Sequence, residues 1–390
     1  MSLSSSVTDR RIRVLHIING LNVGGAERML WKLLAQADRD RFDMRVLNLL
    51  KGGQISEEIK ALGIPVGELN LHSPYTAWKG LFALRSFLRQ TDPDVVQGWM
   101  YHGNLAAWCA TKMARRKTAQ TWGVRHSLHD MAREKKTTQA VIRLCAWLSG
   151  SPDRILFNSE RSRLQHEAIG YNPAVCETIP NGFDVAAYRP DAQARQHLRA
   201  EFGLAPEMLL VGLVARFHPL KDQPGFIKAA RLVSPKFPDV HFVLVGREVE
   251  RNNPALDCAS LPLEILKKFH FLGERSDIPH ITAGLDVAVS SSISEGFPNT
   301  IGEAMSCGLP CVVTDVGDSA WLLGECGRVV PPSDPQALAA ALVSLLELPE
   351  AERKRLGAEA RQRVIELFSI DAVTERYQQL YRALCPHKAA

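Results

Sequence analysis

The sequence predicts an α/β protein with two Rossmann-like, doubly wound parallel-sheet domains that face a central cleft. Three observations support this fold class. Short apolar runs alternate with segments of helical period along most of the 390 residues, and this alternation restarts after a break near residues 181–206. The chain is also long enough for two domains of ordinary size. Ligands of open α/β sheets bind at the carboxyl ends of the strands, so strand-end loops of both domains are expected at the cleft.

The first series of apolar runs opens with a buried strand at residues 13–18, followed by a helix at 26–37. Its further strands are predicted at 44–49, 95–97, 119–123 and 155–158, with helices at 78–88, 104–113 and 138–148. After a polar helical segment at 192–202, the second series has strands at 209–214, 241–245, 270–272, 287–290 and 310–313. The end of the chain, at residues 335–346 and 351–383, is predicted to form two or three helices without strands. These patterns place an N-terminal domain at residues 1–183, a linker at 184–206, a C-terminal domain at 207–366 and a closing helix at 367–390.

Composition excludes several classes of protein. The chain is 46% hydrophobic and 23% charged, as in soluble globular proteins. It has no apolar run long enough to span a bilayer and no secretory signal, so a cytoplasmic location is expected, with peripheral contact at the inner face of the membrane as an extension. The eight cysteines form no Cys-x-x-Cys pair, and no metal site is expected.

Positive charge is concentrated in the first half of the chain. Residues 1–180 carry 25 Lys and Arg against 16 Asp and Glu, and the cations crowd into residues 112–136. This basic stretch predicts contact with an anionic membrane or a phosphorylated acceptor, although a solvated helix surface would show the same pattern. No recognition-helix or aromatic-interleaved pattern accompanies it, so nucleic acid is not an expected partner.

Two loops have residues suited to binding an anion. Gly24 and Gly25 follow the first strand and open a helix, which allows close approach of a ligand to the backbone. Their spacing is neither that of a dinucleotide fingerprint nor that of a P-loop, and a simple tight turn would look similar. Arg216 and Lys221 follow the strand at 209–214, and two cations at this spacing can converge on a phosphate group. The alternative for both is a solvated surface cation.

The segment from Ser290 to Pro310 gives the strongest signal. A strand ends at Ser290, a loop of small residues follows, and a helix begins near Thr300. Backbone amides at that helix start suit a diphosphate, while Glu295 in the loop and Glu303 in the first turn suit sugar and ribose hydroxyls. The alternative is that Glu303 only stabilises the helix start and that Glu295 is solvated.

This segment resembles the Glu-x7-Glu motif of glycosyltransferase family 4, the retaining enzymes of the GT-B fold. Further similarities occur in order along the whole chain, namely at residues 24–27, 157–160, 179–184, 214–221, 271–273, 314–318, 368–369, 377 and 381. The resemblance implies an acceptor-binding N-terminal domain, a nucleotide-sugar-binding C-terminal domain and a closing helix that crosses back to the first domain. It also implies an enzyme that needs no metal or other cofactor.

The resemblance implies specific roles for residues. Arg216, Lys221 and the amides of Asn299 and Thr300 would bind the diphosphate, Glu295 the donor sugar and Glu303 the ribose. The implied donor-binding residues are Gly24, Gly25, Arg216, Lys221, Glu295, Gly296, Phe297, Pro298, Asn299, Thr300 and Glu303. The implied catalytic residues are His126, Glu295, Arg216 and Lys221.

The first domain is expected to provide a polar group near the sugar. His126 follows the strand at 119–123 and matches the family's strand-end histidine, while His102 is the alternative. A buried, hydrogen-bonded histidine in the fold is the simpler interpretation of each. His102, Asn104 and Arg125 are the candidate acceptor-binding residues.

The expected activity is therefore transfer of a sugar from a nucleotide-diphosphate donor, with UDP favoured, to a hydroxyl of a glycan or lipid-linked acceptor, as in polysaccharide biosynthesis. Two other functions fit the same architecture. A nucleotide-sugar epimerase would need an acid–base set for C–H cleavage, which is not recognisable here. A non-catalytic nucleotide-sugar-binding protein would be distinguished only by the absence of turnover.

Overall fold

The computed structural model describes residues 11–71, 77–114, 116–128, 131 and 135–386. The chain divides into two compact units. Unit 1 comprises residues 1–182 together with 373–390, and unit 2 comprises residues 183–372. The segment at 184–206, expected to be a linker, belongs to unit 2 and contains a helix at Ala192–Glu201.

Unit 1 contains a seven-stranded parallel sheet with the strand order β3-β2-β1-β4-β5-β6-β7. The strands are β1 (Ile12–Ile18), β2 (Phe42–Asn48), β3 (Val66–Glu68), β4 (Val95–Trp99), β5 (Ala119–Val124), β6 (Arg154–Phe157) and β7 (Cys176–Thr178). The helices between them are α1 (Gly25–Ala35), α2 (Gln54–Ala61), α3 (Ala77–Thr91), α4 (Met100–Met113), α5 (Lys136–Leu148) and α6 (Glu160–Ala168). This βα alternation is what a sheet covered on both faces requires.

Helix α4 packs closely against the centre of this sheet. A Cβ atom at Gly103 would lie 2.5 Å from the carbonyl oxygen of Ile17, and one at Gly98 would lie 2.6 Å from Cα of Asn104. The two glycines therefore allow the backbone of α4 to approach β1 and β4 directly. This approach places the first turn of α4 at the carboxyl ends of these strands.

Unit 2 contains a six-stranded parallel sheet with the order β10-β9-β8-β11-β12-β13. Its strands are β8 (Leu209–Val214), β9 (Val240–Val245), β10 (Phe269–Phe271), β11 (Val287–Ser290), β12 (Cys311–Thr314) and β13 (Gly327–Val330). Its helices are α7 (Ala192–Glu201), α8 (Gln223–Val233), α9 (Leu263–Leu266), α10 (Ile278–Ala283), α11 (Asn299–Ser306), α12 (Ser319–Leu323), α13 (Pro335–Leu346) and α14 (Glu350–Leu367). Strands β8 and β11 pair in register at Val287–Val211, so the loops that follow them are adjacent.

The closing helix α15 (Ile370–Leu384) starts in unit 2 and belongs to unit 1 from Val373 onwards. Its Tyr377 and Tyr381 are almost completely buried. The hydroxyl of Tyr381 lies 3.4 Å from Oε1 of Gln97 in β4. The hydroxyl of Tyr377 accepts a hydrogen bond from Arg125, which follows β5. Buried aromatic area and these polar contacts stabilise the helix on unit 1.

Candidate active site

The glycine loop of unit 1 forms an open helix N-terminus. Gly24 is the residue before α1, and a Cβ atom there would lie 2.3 Å from Oε2 of Glu27. Gly25 is exposed, and no heavy atom lies within 4 Å of the position that its Cβ would occupy. Burial raises the pKa of the Glu27 carboxyl, which lies over the start of the helix. The loop therefore combines accessible backbone with one partly buried carboxyl group.

A pocket of about 410 Å³ lies beside this loop within unit 1. It is lined by both candidate histidines, His102 and His126, and by Glu27. Burial lowers the pKa of His102. The structure thus brings residues from three segments, after β1, β4 and β5, to the wall of a single pocket.

His126 is held from the inside of unit 1. Its Nδ1 atom lies 3.2 Å from the hydroxyl oxygen of Tyr101, and that oxygen lies 2.8 Å from Nε2 of His166. Its backbone carbonyl accepts a hydrogen bond of 2.7 Å from the hydroxyl of Ser162. No local sequence pattern indicates Tyr101 or His166, since the residues in these contacts are 25 and 65 positions apart along the chain.

Two candidate acceptor-binding residues have contacts within the fold. Asn104 is completely buried, and its side-chain amide makes hydrogen bonds of 3.2 and 3.3 Å with the backbone of Gly123. Arg125 donates to Asn181 and Tyr377, and its guanidinium lies 5.0 Å from the centre of the Trp99 ring. Both side chains hold β5 and α15 in place, and His102 is the candidate that lines the pocket.

The loops after β8 and β11 interlock in unit 2. The hydroxyl of Ser291 donates to the carbonyl oxygens of Lys221 and Asp222 at 2.8 and 2.9 Å, and the amide of Ile293 donates to Leu220 at 2.8 Å. These bonds bring Lys221 and Glu295 together as a partly buried ion pair. Ser292 donates a further hydrogen bond of 2.8 Å to the Glu295 carboxylate.

Arg216, which follows β8, has an exposed side chain. Its guanidinium makes no hydrogen bond or ion pair with the part of the chain that the structure describes, whereas its backbone carbonyl accepts a bond of 2.9 Å from Gln223. A cation with a fixed backbone and an uncommitted head group can bind a ligand without breaking an existing contact. The sequence predicted that Arg216 would bind a phosphate group in this way.

Two glycines with positive φ shape these loops. Gly317 has φ 55°, and a Cβ atom there would lie 2.5 Å from the carbonyl oxygen of Glu295. Gly246 has φ 150°, and its Cβ atom would lie 2.1 Å from the carbonyl oxygen of Ala215. Because only glycine combines that conformation with so close an approach, these two residues help to set the positions of Glu295 and Arg216.

The backbone at the start of α11 differs in detail from the predicted diphosphate site, in which the amides of Asn299 and Thr300 both face the ligand. The amide of Asn299 donates to the carbonyl of Phe297 at 3.0 Å, so in this conformation it is directed to the protein. Thr300 shares the wall of a small cavity with Lys221 and Glu295. Phe297 is buried and stacks on Phe183 with ring centres 6.0 Å apart, which makes it a core residue here. Gly296 and Pro298 flank it in the loop that carries Glu295.

Glu303 lies in α11 but beyond the first turn in which the sequence pattern placed it, because the helix begins at Asn299. Its carboxylate accepts a hydrogen bond from Tyr188. Burial, followed by the nearby Glu303 carboxylate, raises the pKa of Tyr188, which therefore stays protonated and able to donate. The family resemblance implies a ribose contact for Glu303, but no sequence pattern predicts its contact with Tyr188.

A larger pocket of about 670 Å³ lies elsewhere in unit 2. Its walls include Leu209, at the start of β8, and Pro310, just before β12. It therefore lies at the amino ends of the strands, whereas Arg216, Lys221 and Glu295 follow their carboxyl ends. Ligands of open α/β sheets bind at the carboxyl ends, so the smaller cavity beside Lys221 is the better candidate for the chemistry.

The described residues contain neither a metal-binding cluster nor a helix that could span a membrane. No cluster of three or more His, Cys, Asp or Glu side chains in the described ranges could hold a metal ion. None of the helices that the structure describes is both long and apolar enough to cross a membrane. Of the cations in the basic stretch 112–136, Arg116 is ion-paired with Asp92 and Asp94, whereas residues 115, 129, 130 and 132–134 lie outside the described residues.

Cations, an open helix start and carboxylates at strand ends can bind a diphosphate and the hydroxyls of attached sugars. Together with two parallel sheets of Rossmann type, this arrangement defines a glycosyltransferase of the GT-B class. Residues 23–187 match the model described as Glycosyltransferase Family 4, and residues 208–348 match that of the Glycosyl transferases group 1. The two models together match more than half of the chain, which belongs to this family of glycosyltransferases.

Curated relatives cover nearly the whole chain. It is 23% identical over 386 residues to UDP-Gal:alpha-D-GlcNAc-diphosphoundecaprenol alpha-1,3-galactosyltransferase of Escherichia coli, covering 96% of this chain and 97% of the relative. It is 24% identical to N,N'-diacetylbacillosaminyl-diphospho-undecaprenol alpha-1,3-N-acetylgalactosaminyltransferase of Campylobacter jejuni, covering 89% and 93%. The solved structure of Anabaena Alr3699/HepE in complex with UDP has the same fold, with a TM-score of 0.81 at 21% identity over 95% of this chain and 100% of that one.

Proposed function

We propose that this glycosyltransferase transfers a sugar from a UDP-linked donor to a hydroxyl of a lipid-linked glycan, with retention of configuration and without a metal ion. The observation that carries the proposal is the cluster at the carboxyl ends of β8 and β11. There the Lys221–Glu295 ion pair lies beside Thr300 at the start of α11. Arg216 leaves the same strand end with an exposed guanidinium.

The donor engages this cluster through complementary charges. The diphosphate is bound by Arg216, by Lys221 and by the amide at Thr300, since cations and helix starts both favour anions. When the phosphate takes over part of the hydrogen bonding of Lys221, the Glu295 carboxylate is released to accept from a hydroxyl of the sugar. Glu303, with Tyr188 as its support, accepts from the ribose.

These same groups make a metal ion unnecessary in the proposal. Breaking the bond between the sugar and the diphosphate develops negative charge on the leaving group, and preorganised cations and amides stabilise such charge. Retention is proposed on the family resemblance, with front-face attack by the acceptor hydroxyl. His126 contacts the donor sugar and helps to orient the attack.

The nature of the donor nucleotide is proposed from the relatives. The name of the E. coli relative begins with UDP-Gal, and the Anabaena protein was solved with UDP. The transferred sugar is a hexose or an N-acetylhexosamine on the same grounds.

The nature of the acceptor is proposed from the relatives and from helix α5. The names of the E. coli and Campylobacter relatives both specify diphosphoundecaprenol acceptors. Thr138 of α5 lines the pocket of unit 1, while Leu144 and Trp147 of the same helix are 42% and 80% exposed. Exposed apolar residues beside Lys136 and Arg143 suit an anionic membrane surface, where a lipid-linked acceptor is found. We extend the proposal to peripheral contact at the inner face of the membrane.

The test is a thermal-shift screen with UDP, GDP and ADP, each with and without EDTA. A ligand at 100 times its dissociation constant stabilises the folded state by about 2.7 kcal/mol. We expect a shift with UDP that EDTA does not change and that Arg216→Ala reduces by weakening UDP binding roughly 10–100-fold. The matched control is Arg231→Ala, an exposed arginine on α8, which should bind UDP like the parent protein.

Transfer itself is measured with UDP-hexoses and a short-chain polyprenyl diphosphate glycan, with the product's anomeric configuration read by NMR. An inverted product would contradict retention. Loss of UDP binding in EDTA would contradict the metal-free site, and a preference for GDP or ADP would contradict the proposed donor.

A further inference from the structure

Three side chains form a hydrogen-bonded chain that leads from the interior of unit 1 to its pocket. His166 in α6 is completely buried, Tyr101 in α4 is 4% exposed, and His126 lines the pocket. The Tyr101 oxygen lies 2.8 Å from Nε2 of His166 and 3.2 Å from Nδ1 of His126. The chain continues inward, because Nδ1 of His166 lies 2.7 Å from the carbonyl oxygen of Ser162.

The contact between His166 and the Ser162 carbonyl oxygen determines the direction of every hydrogen bond in this series. A carbonyl oxygen can only accept, so the proton of the His166 ring is on Nδ1. Burial lowers the pKa of His166 to about 4, so the ring is neutral near pH 7 and carries this one proton. Its Nε2 atom must then accept, and the Tyr101 hydroxyl must donate to it. The Tyr101 oxygen is left as an acceptor, and the only nitrogen of His126 that faces it is Nδ1.

We infer that Tyr101 and His166 are positioning residues that hold the proton of the His126 ring on Nδ1, with Nε2 as the nitrogen that accepts from a hydroxyl of the substrate. This inference deepens the proposed function and rests on it for the contact between His126 and substrate. The hydrogen bond made by one nitrogen of a histidine determines which nitrogen carries the proton. A nitrogen without a proton at Nε2 can accept a hydrogen bond from a hydroxyl or take its proton, whereas an N–H at Nε2 can only donate to the hydroxyl oxygen.

The backbone near Tyr101, His126 and His166 also holds these three side chains in a fixed arrangement. Two residues of helix α6 hold His126. His166 acts through the Tyr101 hydroxyl, and the Ser162 hydroxyl donates a hydrogen bond of 2.7 Å to the His126 carbonyl oxygen. Met100, immediately before Tyr101, has φ 60°, a left-handed conformation that residues other than glycine rarely adopt. Such strain persists where the surrounding contacts fix it, and it clusters at functional sites. Met100 also lines the pocket.

The direct test is nitrogen-15 NMR of the histidine rings in the intact, ligand-free protein, in mildly alkaline solution where imidazole is neutral. The His126 signals are assigned by their loss in His126→Gln. We expect the Nδ1–H tautomer in the parent protein and a shift toward the Nε2–H tautomer in Tyr101→Phe, which removes only the hydroxyl. Tyr171→Phe is the matched control, because Tyr171 is buried beside His166, with ring centres 5.1 Å apart. It should leave the His126 tautomer unchanged.

Kinetics provide a second readout. With the proposed donor and acceptor, Tyr101→Phe should lower kcat about fivefold to tenfold, as for the loss of one hydrogen bond, with the dissociation constant for UDP unchanged. An Nε2–H tautomer of His126 in the parent protein, or parental tautomer and kcat in Tyr101→Phe, would overturn the inference. The two proposals fail separately, since the NMR experiment needs no substrate, whereas a parent protein without transferase activity would refute the proposed function alone.

Discussion

Glu303 is a partly buried carboxylate that a neighbouring side chain orients. It lies beyond the first turn of α11, where a negative charge gains little from the helix start, and it accepts a hydrogen bond from the hydroxyl of the partly buried Tyr188. A carboxylate that needed only to stabilise the helix would lie in its first turn and would not require a donor to orient it. The Tyr188 contact therefore favours a role for Glu303 in binding a ligand.

If Glu303 binds the ribose, Glu303→Gln should weaken the binding of UDP about tenfold, the loss of a hydrogen bond to a charged acceptor. The binding of 2′,3′-dideoxy-UDP should be the same in the variant and the parent protein, because that ligand lacks the hydroxyls in question. Isothermal titration calorimetry gives both constants. An equal loss for the two ligands would show that the substitution acts on the helix or on the phosphates instead.

At the scale of single elements, every central strand of both sheets is predictable from the sequence, whereas three of the four edge strands are not. The ten predicted strands are all present, while β3, β7 and β13 were missed. All three lie at sheet edges and have only three or four residues. An edge strand pairs on one side only and can be partly solvated, and the apolar patterns of these three strands are too short and too weak to recognise.

The residues of the candidate site likewise divide into those that the sequence predicts and those that it does not. Arg216, Lys221 and Glu295 directly follow buried strands, and position after a strand is a signal that a sequence contains. Tyr101, Tyr188 and His166 act through contacts with residues that are 25, 115 and 65 positions away, and no local pattern marks such partners. The Asn299 amide and the Phe297 ring depend on the local turn, which the sequence pattern does not specify.

The loop that follows β12 offers a test of how the Glu295 loop is positioned. Gly317→Ala should destabilise unit 2 by more than the roughly 1 kcal/mol expected for alanine in a left-handed conformation, because its Cβ atom would also meet the Glu295 carbonyl. Binding of UDP should weaken in parallel. Urea unfolding and calorimetry measure the two effects.

Gly203→Ala is the control for this change, since Gly203 also lies in unit 2 and has φ 66°, but no atom lies within 4 Å of its Cβ position. It should cost about 1 kcal/mol and leave UDP binding intact. If Gly317→Ala bound UDP as tightly as Gly203→Ala does, the close approach would not be what positions Glu295.

Helix α5 presents an amphipathic stripe to solvent, and its exposed residues Lys136, Ala140, Arg143, Leu144 and Trp147 recur at helical spacing. If this stripe contacts the membrane, Leu144→Ser and Trp147→Ser should each reduce binding to vesicles that contain anionic phospholipid at low salt. Sedimentation with the vesicles measures this loss, while UDP binding should remain unchanged.

Leu232→Ser on α8 is the control, because Leu232 is 52% exposed and Leu144 is 42% exposed. It removes a comparable apolar side chain from unit 2 and should bind vesicles like the parent protein. Equal loss in all three variants would indicate non-specific adsorption, and no loss in any would exclude α5 as the contact.

Acid should destabilise the two units of the whole molecule unequally, because unit 1 contains the most deeply buried neutral histidines. Burial lowers the pKa of His16 to about 3 and that of His166 to about 4. In the unfolded chain both rings titrate near pH 6.5, so below that pH the unfolded state binds more protons than the folded state. The free energy of unfolding must therefore fall with decreasing pH from about 6.5 down to the folded pKa values. At pH 5 each ring accounts for a loss of about 2 kcal/mol.

The contacts of His16 show why it resists protonation. Nε1 of Trp99 donates to its Nδ1 at 3.1 Å, and a second proton at Nδ1 would break this bond inside a fully buried site. Tryptophan fluorescence reports chiefly on unit 1, which contains Trp31, Trp78, Trp99, Trp108, Trp122 and Trp147, whereas unit 2 contains Trp321. Urea unfolding followed by fluorescence at pH 7, 6 and 5 thus measures the relevant free energy, in a range where carboxylates of ordinary pKa remain mostly ionised.

The variant His16→Gln separates the histidine effect from the general effect of acid. It lowers stability at pH 7 by disturbing the Trp99 contact, but it removes one of the most deeply buried titrating rings. The loss of stability of unit 1 between pH 7 and pH 5 should therefore be smaller than that of the parent protein by about 2 kcal/mol. A parental pH slope in His16→Gln would mean that other groups cause the acid sensitivity. Because the slope and the value at pH 7 are measured in the same experiment, a weakened fold cannot be mistaken for a changed titration.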